Sequence, residues 1–138
     1  LYRDTDKSPL YPFGFGLSYT TFEYSVPKLK NTSIHTDGST TISVDVTNTG
    51  EREGDEVIQM YVRDDYASVG RYLKMLKGFE RVSLKPGETK TVSFKLGFDE
   101  LNILNQDMKK VVEPGTFTIS IGNSSEEKQL QKTKLNVK

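Results

Sequence analysis

The sequence lacks cysteine and tryptophan entirely, and alanine occurs once, at Ala67. Without cysteine, a disulfide, a thiolate metal site and a cysteine nucleophile are all excluded. Alanine is the strongest helix former, so its near absence argues against a mostly helical protein. The β-branched residues Val, Ile and Thr, which favour strands, account for 31 of the 138 residues. The composition therefore favours an all-β protein.

An excess of one charge is also missing, because 19 Lys and Arg residues balance 19 Asp and Glu residues. A neutral chain has no basic surplus with which to bind nucleic acid or an anionic membrane, so we expect neither as a partner. No apolar run approaches the roughly 20 residues that span a bilayer. The 138 residues fit one domain. The chain starts at Leu1 without a signal-peptide pattern, and we expect a piece of a longer protein.

Residues 1–20 predict an extended lead-in segment, because Pro9 and Pro12 interrupt regular backbone hydrogen bonding. A flexible linker would be polar, whereas this segment is strongly apolar. We therefore expect it to pack, either on its own domain or on an upstream neighbour in a longer chain. The residues expected to make this contact are Leu10, Tyr11, Phe13, Phe15, Leu17 and Tyr19.

Residues 21–138 contain short stretches in which apolar and polar residues alternate, separated by turn signals such as Lys85-Pro86-Gly87-Glu88. Alternation with period two predicts strands with one core face and one wet face. We expect one helical turn at Phe98–Leu101, a hairpin around Asn105–Asp107, and an antiparallel β-sandwich or barrel. The alternating rows are Phe22, Tyr24, Val26; Ile42, Val44, Val46; Ile58, Met60, Val62; Val92, Phe94, Leu96; Phe117, Ile119, Ile121; and Leu135, Val137.

Several motifs, in this order and spacing, resemble the last domain of glycoside hydrolase family 3 enzymes, the β-glucosidases and their relatives. The resemblance covers nearly the whole chain. The motifs are Pro9-Leu10-Tyr11-Pro12-Phe13-Gly14-Phe15-Gly16-Leu17-Ser18-Tyr19-Thr20, Val46-Thr47-Asn48-Thr49-Gly50, Gly54-Asp55-Glu56-Val57-Ile58-Gln59-Met60-Tyr61, Leu76-Lys77-Gly78-Phe79, Leu84-Lys85-Pro86-Gly87-Glu88 and Val112-Glu113-Pro114-Gly115.

This resemblance implies a fibronectin type III or immunoglobulin-like antiparallel β-sandwich that follows a catalytic barrel and an α/β domain. The catalytic Asp and Glu of that family would lie in those upstream domains, so no catalytic residue, cofactor or metal site is carried onto this chain. The implied parent is β-glucosidase-like and resides in the periplasm or outside the cell. Between Ser68 and Leu76 this chain departs from the family, since the usual Pro and Glu are missing.

Paired carboxyl groups are the residues that glycoside hydrolysis requires. The candidate pairs are Asp64 with Asp65 and Asp99 with Glu100. Sequence neighbours on a strand point to opposite faces, so neither pair is arranged to flank a sugar, and we expect solvated loop charges. The single histidine, His35, is expected on a surface loop, since one histidine without cysteine cannot build a zinc site.

One loop has a composition suited to carbohydrate. Aromatic rings stack on sugars, and Asp and Arg side chains bond to hydroxyl groups; loops often carry binding residues. The alternative is an ordinary loop packed on its own sandwich or on a neighbouring domain. The sequence leaves both interpretations open; if the loop faces substrate, the contacting residues are Asp64, Asp65, Tyr66, Arg71 and Tyr72.

The sequence thus predicts a non-catalytic, C-terminal accessory module of a family 3 glycoside hydrolase. Its expected partners are the upstream catalytic domains, and an oligosaccharide if the loop touches substrate. Two alternatives stay open: a carbohydrate-binding module, and a protein-binding or adhesive sandwich.

Overall fold

The computed structural model describes residues 20–65, 74–123 and 130–138. Except for Thr20, the predicted lead-in segment lies outside these residues. The elements are β1 (Phe22–Tyr24), β2 (Lys28–Leu29), β3 (Ser33–Ile34), β4 (Thr40–Asn48), β5 (Gly54–Asp64), β6 (Lys74–Leu84), β7 (Thr89–Leu96), α1 (Phe98–Leu101), β8 (Ile103–Leu104), β9 (Lys110–Val111), β10 (Gly115–Gly122) and β11 (Gln131–Val137).

Two sheets form a β-sandwich, which confirms the predicted fold class. In the first sheet β4 pairs with β1 and β2 and also with β7; the second has the order β3-β11-β10-β5-β6. The pairings are antiparallel except that between β11 and β3. A separate hairpin joins β8 and β9. In the described part of the chain, no helix is long and apolar enough to cross a membrane.

The core is made by the inward rows of the longest strands, as the alternation predicts. Ile42, Val44 and Val46 from one sheet meet Ile58 and Met60 from the other, and all five are almost fully buried. Transfer of such side chains from water is the main driving force for joining the two sheets. The predicted rows in β4, β5, β10 and β11 are therefore confirmed.

The first predicted row is wrong at its end, because β1 stops at Tyr24 and Val26 is 68% exposed. Pro27 has no N–H to donate and restricts the backbone of the residue before it. The chain therefore leaves the pairing with β4 before Val26 can face inward.

Strand β6 contains an irregularity that decides which of its side chains are exposed. Met60 pairs with Gly78, whereas Tyr61 pairs with Leu76, so Lys77 is an extra residue in the ladder. A β-bulge of this kind shifts the alternation of a strand by one residue. Leu76 and Phe79 consequently face the same side, although they are three positions apart, an odd number that would place them on opposite sides of a regular strand.

Two predicted local structures are confirmed. Gly87 has φ +80 in the turn after β6, a left-handed conformation that glycine adopts without a Cβ clash. Glu100 in α1 accepts a hydrogen bond from the backbone N–H of Gly97 at 2.8 Å, which caps this single helical turn.

One fully buried polar side chain, Asn48, joins four segments at one end of the sandwich. Its amide nitrogen donates to the carbonyl oxygens of Arg52 (2.7 Å) and Leu84 (2.9 Å). Its amide oxygen accepts from the hydroxyl of Thr20 (2.7 Å) and the backbone N–H of Gly50 (2.9 Å). Two donors and two acceptor sites exhaust the capacity of an asparagine amide. The buried amide is thus fully satisfied, and its hydrogen bonds fix the start of β1, the loop after β4 and the end of β6.

We predict that Asn48→Ala lowers the free energy of unfolding by at least about 2 kcal/mol, because buried carbonyl groups would lose their partners. Urea unfolding measures the loss. Asn136→Ala is the matched control: its side chain accepts one exposed hydrogen bond from Thr116, and we expect a change within about 0.5 kcal/mol. Equal effects of the two substitutions would contradict this role for Asn48.

Candidate functional site

The described part of the predicted substrate-facing loop consists of its first two residues. Asp64 ends β5 and Asp65 follows it, whereas Tyr66, Arg71 and Tyr72 lie outside the described residues. Asp64 is half-buried on the inward row of β5, opposite Phe117. The predicted contact of this loop with substrate stays a prediction.

The side chain of Asp65 is held by three neighbours on three strands of the second sheet, β5, β10 and β11. Its carboxylate accepts hydrogen bonds from the Thr118 hydroxyl at 3.0 and 3.1 Å, from Lys134 Nζ at 3.0 Å and from Arg63 Nε at 3.2 Å. Lys134 also donates to Thr118 Oγ1 at 2.8 Å. The side chain of Asp65 is only 15% exposed. The expectation of a solvated charge is wrong here, because the tertiary structure brings Thr118 and Lys134 beside the loop.

Opposing influences act on the pKa of this carboxyl group. Burial raises the pKa of Asp65. The hydrogen bonds from Lys134, Thr118 and Arg63, together with the positive charge of Lys134, outweigh burial and hold the pKa below its usual value. The carboxylate therefore stays ionised and fixes the point at which the loop leaves β5.

We predict that Asp65→Ala destabilises the protein by about 1.5–3 kcal/mol near neutral pH, as expected for hydrogen bonds to a charged group. A lowered folded-state pKa means that this stabilisation is present above the unfolded pKa of about 3.9 and is lost as the pH falls through the folded-state value. Urea unfolding at neutral and acidic pH tests both points.

The control is Asp55→Ala. Asp55 pairs with Arg81 at 2.6 Å on the exposed side of the same sheet, and exposed pairs contribute about 0–1 kcal/mol. A loss for Asp65→Ala that persists unchanged at acidic pH would contradict the assigned electrostatic role.

The other candidate charges are not assembled into a catalytic arrangement in the described part of the chain. Glu100 caps the helical turn, and Asp99 beside it is exposed. His35 is exposed after β3, as expected. Among residues 20–65, 74–123 and 130–138, no group of three or more His, Cys, Asp or Glu could hold a metal ion.

Sequence reasoning missed a polar cluster between the two sheets. Glu56 Oε2 accepts a hydrogen bond from the Tyr24 hydroxyl at 2.8 Å and from Asn123 Nδ2 at 3.1 Å. Tyr24 belongs to the first sheet and Glu56 to the second, so the bond spans the sandwich. The available signal was the alternation along β5, because Glu56 shares the inward row of Gly54 and Ile58.

The pKa values in this cluster favour a neutral tyrosine and disfavour an ionised glutamate. Burial raises the pKa of Glu56, and the hydrogen bonds from Tyr24, Asn123 and the backbone of Val57 offset this only in part. Burial and the adjacent Glu56 charge raise the pKa of Tyr24. The phenol therefore remains a hydrogen-bond donor.

We predict that Glu56→Gln gains stability relative to the wild type as the pH rises from 4 to 7. A raised folded-state pKa means that the folded wild type keeps its proton longer than the unfolded chain. Its stability therefore falls as the pH rises through this interval, and glutamine has no such loss. Both hydrogen bonds end on one oxygen of Glu56, so an amide oxygen can replace it.

Thermal unfolding of the two proteins across this pH range measures the difference. Glu53→Gln, at an exposed position just before β5, is the matched control and should track the wild type. If the unfolding temperature of Glu56→Gln instead falls relative to that of the wild type as the pH rises, the ionised form of Glu56 stabilises the sandwich and the prediction is wrong.

The chain is similar to one family model and to several larger enzymes. A family model described as "Fibronectin type III-like domain" matches residues 56–125. The β-xylosidase of Formosa agariphila is 76% identical over 137 residues, which are 99% of this chain and 19% of that protein. The periplasmic β-glucosidase of Salmonella typhimurium is 54% identical over 124 residues, 90% of this chain and 16% of that protein.

Solved structures show the same relation. A β-glucosidase from Erythrobacter marinus matches with a TM-score of 0.82 and 42% identity, over 99% of this chain and 18% of that one. The β-glucosidase of Listeria innocua, in a complex with glucose, matches with a TM-score of 0.80 and 37% identity, over 99% of this chain and 19% of that one. The chain thus spans less than a fifth of the length of these relatives.

Proposed function

The chain belongs to the fibronectin type III-like domain family, and from that membership we propose that it is a non-catalytic accessory module of a family 3 glycoside hydrolase. The matches confirm the resemblance to the C-terminal domain of those enzymes that the motifs predicted. The observation that carries the proposal is the 76% identity to a β-xylosidase over 99% of this chain, but over only 19% of that relative. The work of the module is to pack against the upstream catalytic domains and to stabilise them.

The chemistry of the described residues supports a non-catalytic role. Retaining glycoside hydrolysis needs two carboxyl groups about 5 Å apart, one of them free to attack the sugar. Asp65 is instead engaged by Lys134 and Arg63, and Glu100 by the backbone of Gly97. We therefore assign the hydrolysis of β-xylosides or β-glucosides to the parent, in the periplasm or outside the cell.

The contacts within the parent follow from the same proposal. We assign the lead-in residues Leu10–Tyr19 to the junction with the catalytic domains, and the loop of residues 64–72 to a position beside the substrate cleft. The hydrogen bonds of Asp65 to Thr118 and Lys134 support the second assignment, because they hold in place the residue at which the loop begins.

We predict that the purified chain does not hydrolyse aryl β-xylosides or aryl β-glucosides. A second measurement uses the Formosa agariphila relative. Deletion of its matching domain should lower its thermal unfolding temperature and its activity, and replacement by this chain should restore both. A replacement that carries Asn48→Ala is the matched control and should restore less, because its sandwich is destabilised. Turnover by the isolated chain, or an undiminished deletion variant, would contradict the proposal.

The carbohydrate-binding alternative makes a different prediction for the same chain. Calorimetric titration with xylo- and cello-oligosaccharides would then give saturable heat that is lost in Tyr66→Ala or Tyr72→Ala. A flat titration together with a successful domain replacement supports the accessory role.

A further inference from the structure

The two outer surfaces of the sandwich differ sharply in polarity. On the first sheet, every outward residue of β4 and β7 is polar, and three cross-strand hydrogen bonds join them: Ser43 to Ser93, Thr47 to Thr89, and Thr91 to Asp45. On the outer side of the second sheet, β5 and β6 carry three exposed large apolar side chains; Met75 is exposed too, but it pairs with Val62 on the inward row. The three are Val57, Leu76 and Phe79, which are 39%, 47% and 69% exposed, and we call them the apolar face.

The apolar face has the character of a contact surface. Contiguous apolar side chains on an outer surface mark a contact site more often than single exposed residues do. The bulge at Lys77 is what places Leu76 on the same side as Phe79. Without that extra residue, Leu76 would face the other side of the sheet.

The described chain begins at the end of the sandwich where this face starts. The Thr20 hydroxyl donates to Asn48, and the Asn48 amide donates to the carbonyl of Leu84, the last residue of β6. Leu84 pairs with Gly54, the first residue of β5. The segment that precedes Thr20 therefore joins the domain beside the last residue of β6 and the first residue of β5.

The composition of this segment matches such a surface. Its large apolar residues alternate with small ones, because Pro12, Gly14, Gly16 and Ser18 lie between them. In an extended chain, residues two apart face the same side. One side would then carry Tyr11, Phe13, Phe15, Leu17 and Tyr19, and the segment from 10 to 19 has no charged residue.

The lengths agree as well. Phe15 is five residues before Thr20, and Phe79 is five residues before Leu84, a span of about 17 Å in either case. Leu76 is eight residues before Leu84, or about 27 Å, and an extended segment from Leu10 to Thr20 spans about 34 Å. The segment can therefore cover Val57, Phe79 and Leu76 in turn.

We propose that residues 11–19 lie in extended conformation along the outer face of β5 and β6 and bury Val57, Leu76 and Phe79. The polar first sheet offers these aromatic residues no comparable surface. The segment then runs from Thr20 toward the opposite end of β5, where Asp65 holds the base of the loop. If the proposed function holds, the polypeptide before Leu10 is thereby delivered beside that loop.

A double-mutant cycle in the full 138-residue chain tests the contact. The variants are Phe15→Ala, Phe79→Ala and both together, and the measurement is the midpoint of urea unfolding. We expect each substitution to lower the midpoint and the double variant to lower it by no more than the larger single effect. The matched cycle pairs Phe15→Ala with Phe98→Ala, a half-exposed phenylalanine on α1, and its effects should add. Additive effects for Phe15 and Phe79 would overturn the proposal.

Hydroxyl-radical labelling of the unmodified chain gives a second test that does not depend on a variant that folds. We expect Phe79 to be labelled less than Phe98, and Leu76 less than Leu104, which are exposed elsewhere. As a further check that uses a variant, the protection of Phe79 should fall in Phe15→Ala. Light scattering should report a monomer. Protection that appears only with dimer formation would show that a second copy covers the face. Neither result bears on hydrolysis or on domain replacement, so failure here leaves the proposed function to its own test.

Discussion

The amide of Asn48 is the interaction on which the arrangement of the sandwich depends. It is completely buried, and its four hydrogen bonds go to three segments: the residue before β1, the loop after β4 and the end of β6. A buried polar group with this many partners tolerates one geometry, because any shift leaves a donor or acceptor unsatisfied in a low-dielectric interior. Hydrophobic burial joins the two sheets, but it is not directional. Asn48 supplies the missing direction, since it fixes how β1, β4 and β6 meet.

Two further polar side chains, Glu56 and Asp65, hold parts of the structure that the apolar core does not position. The hydrogen bond between Tyr24 and Glu56 joins the two sheets across the sandwich. Burial raises the pKa of Glu56 and so favours its protonated form. Asp65 remains ionised because Lys134 and Arg63 compensate for its burial. The carboxyl group of Glu56 on β5 and that of Asp65, directly after β5, therefore have opposite pKa shifts. The difference lies in the partners that the fold supplies: cations in one case and neutral donors in the other.

The outer surfaces of the two sheets differ in a way that bears on the proposed function. The first sheet has a polar outer face whose side chains bond to each other. The second sheet has the apolar face, the Asp65 network and the start of the loop of residues 64–72. The outer face of β5 and β6 therefore differs from that of β4 and β7 both in polarity and in the presence of the loop base. This difference between the two sides is what the proposed accessory role and the proposed contact of residues 11–19 rest on.

Local sequence determined the strands, because alternation with period two and the propensities of Val, Ile and Thr act within a few residues. It likewise determined the turn at Gly87 and the helical turn at Phe98–Leu101. It failed where the outcome depends on a partner distant in sequence. The sequence predicted a solvated Asp65, whereas the fold brings Lys134 beside it. It gave no indication that Glu56 would meet Tyr24, because these residues lie on different sheets. The bulge at Lys77 was equally invisible, because register is a property of two paired strands rather than of one. Side-chain types and their spacing are thus set locally, whereas burial, ionisation and exposure are set by which strands become neighbours.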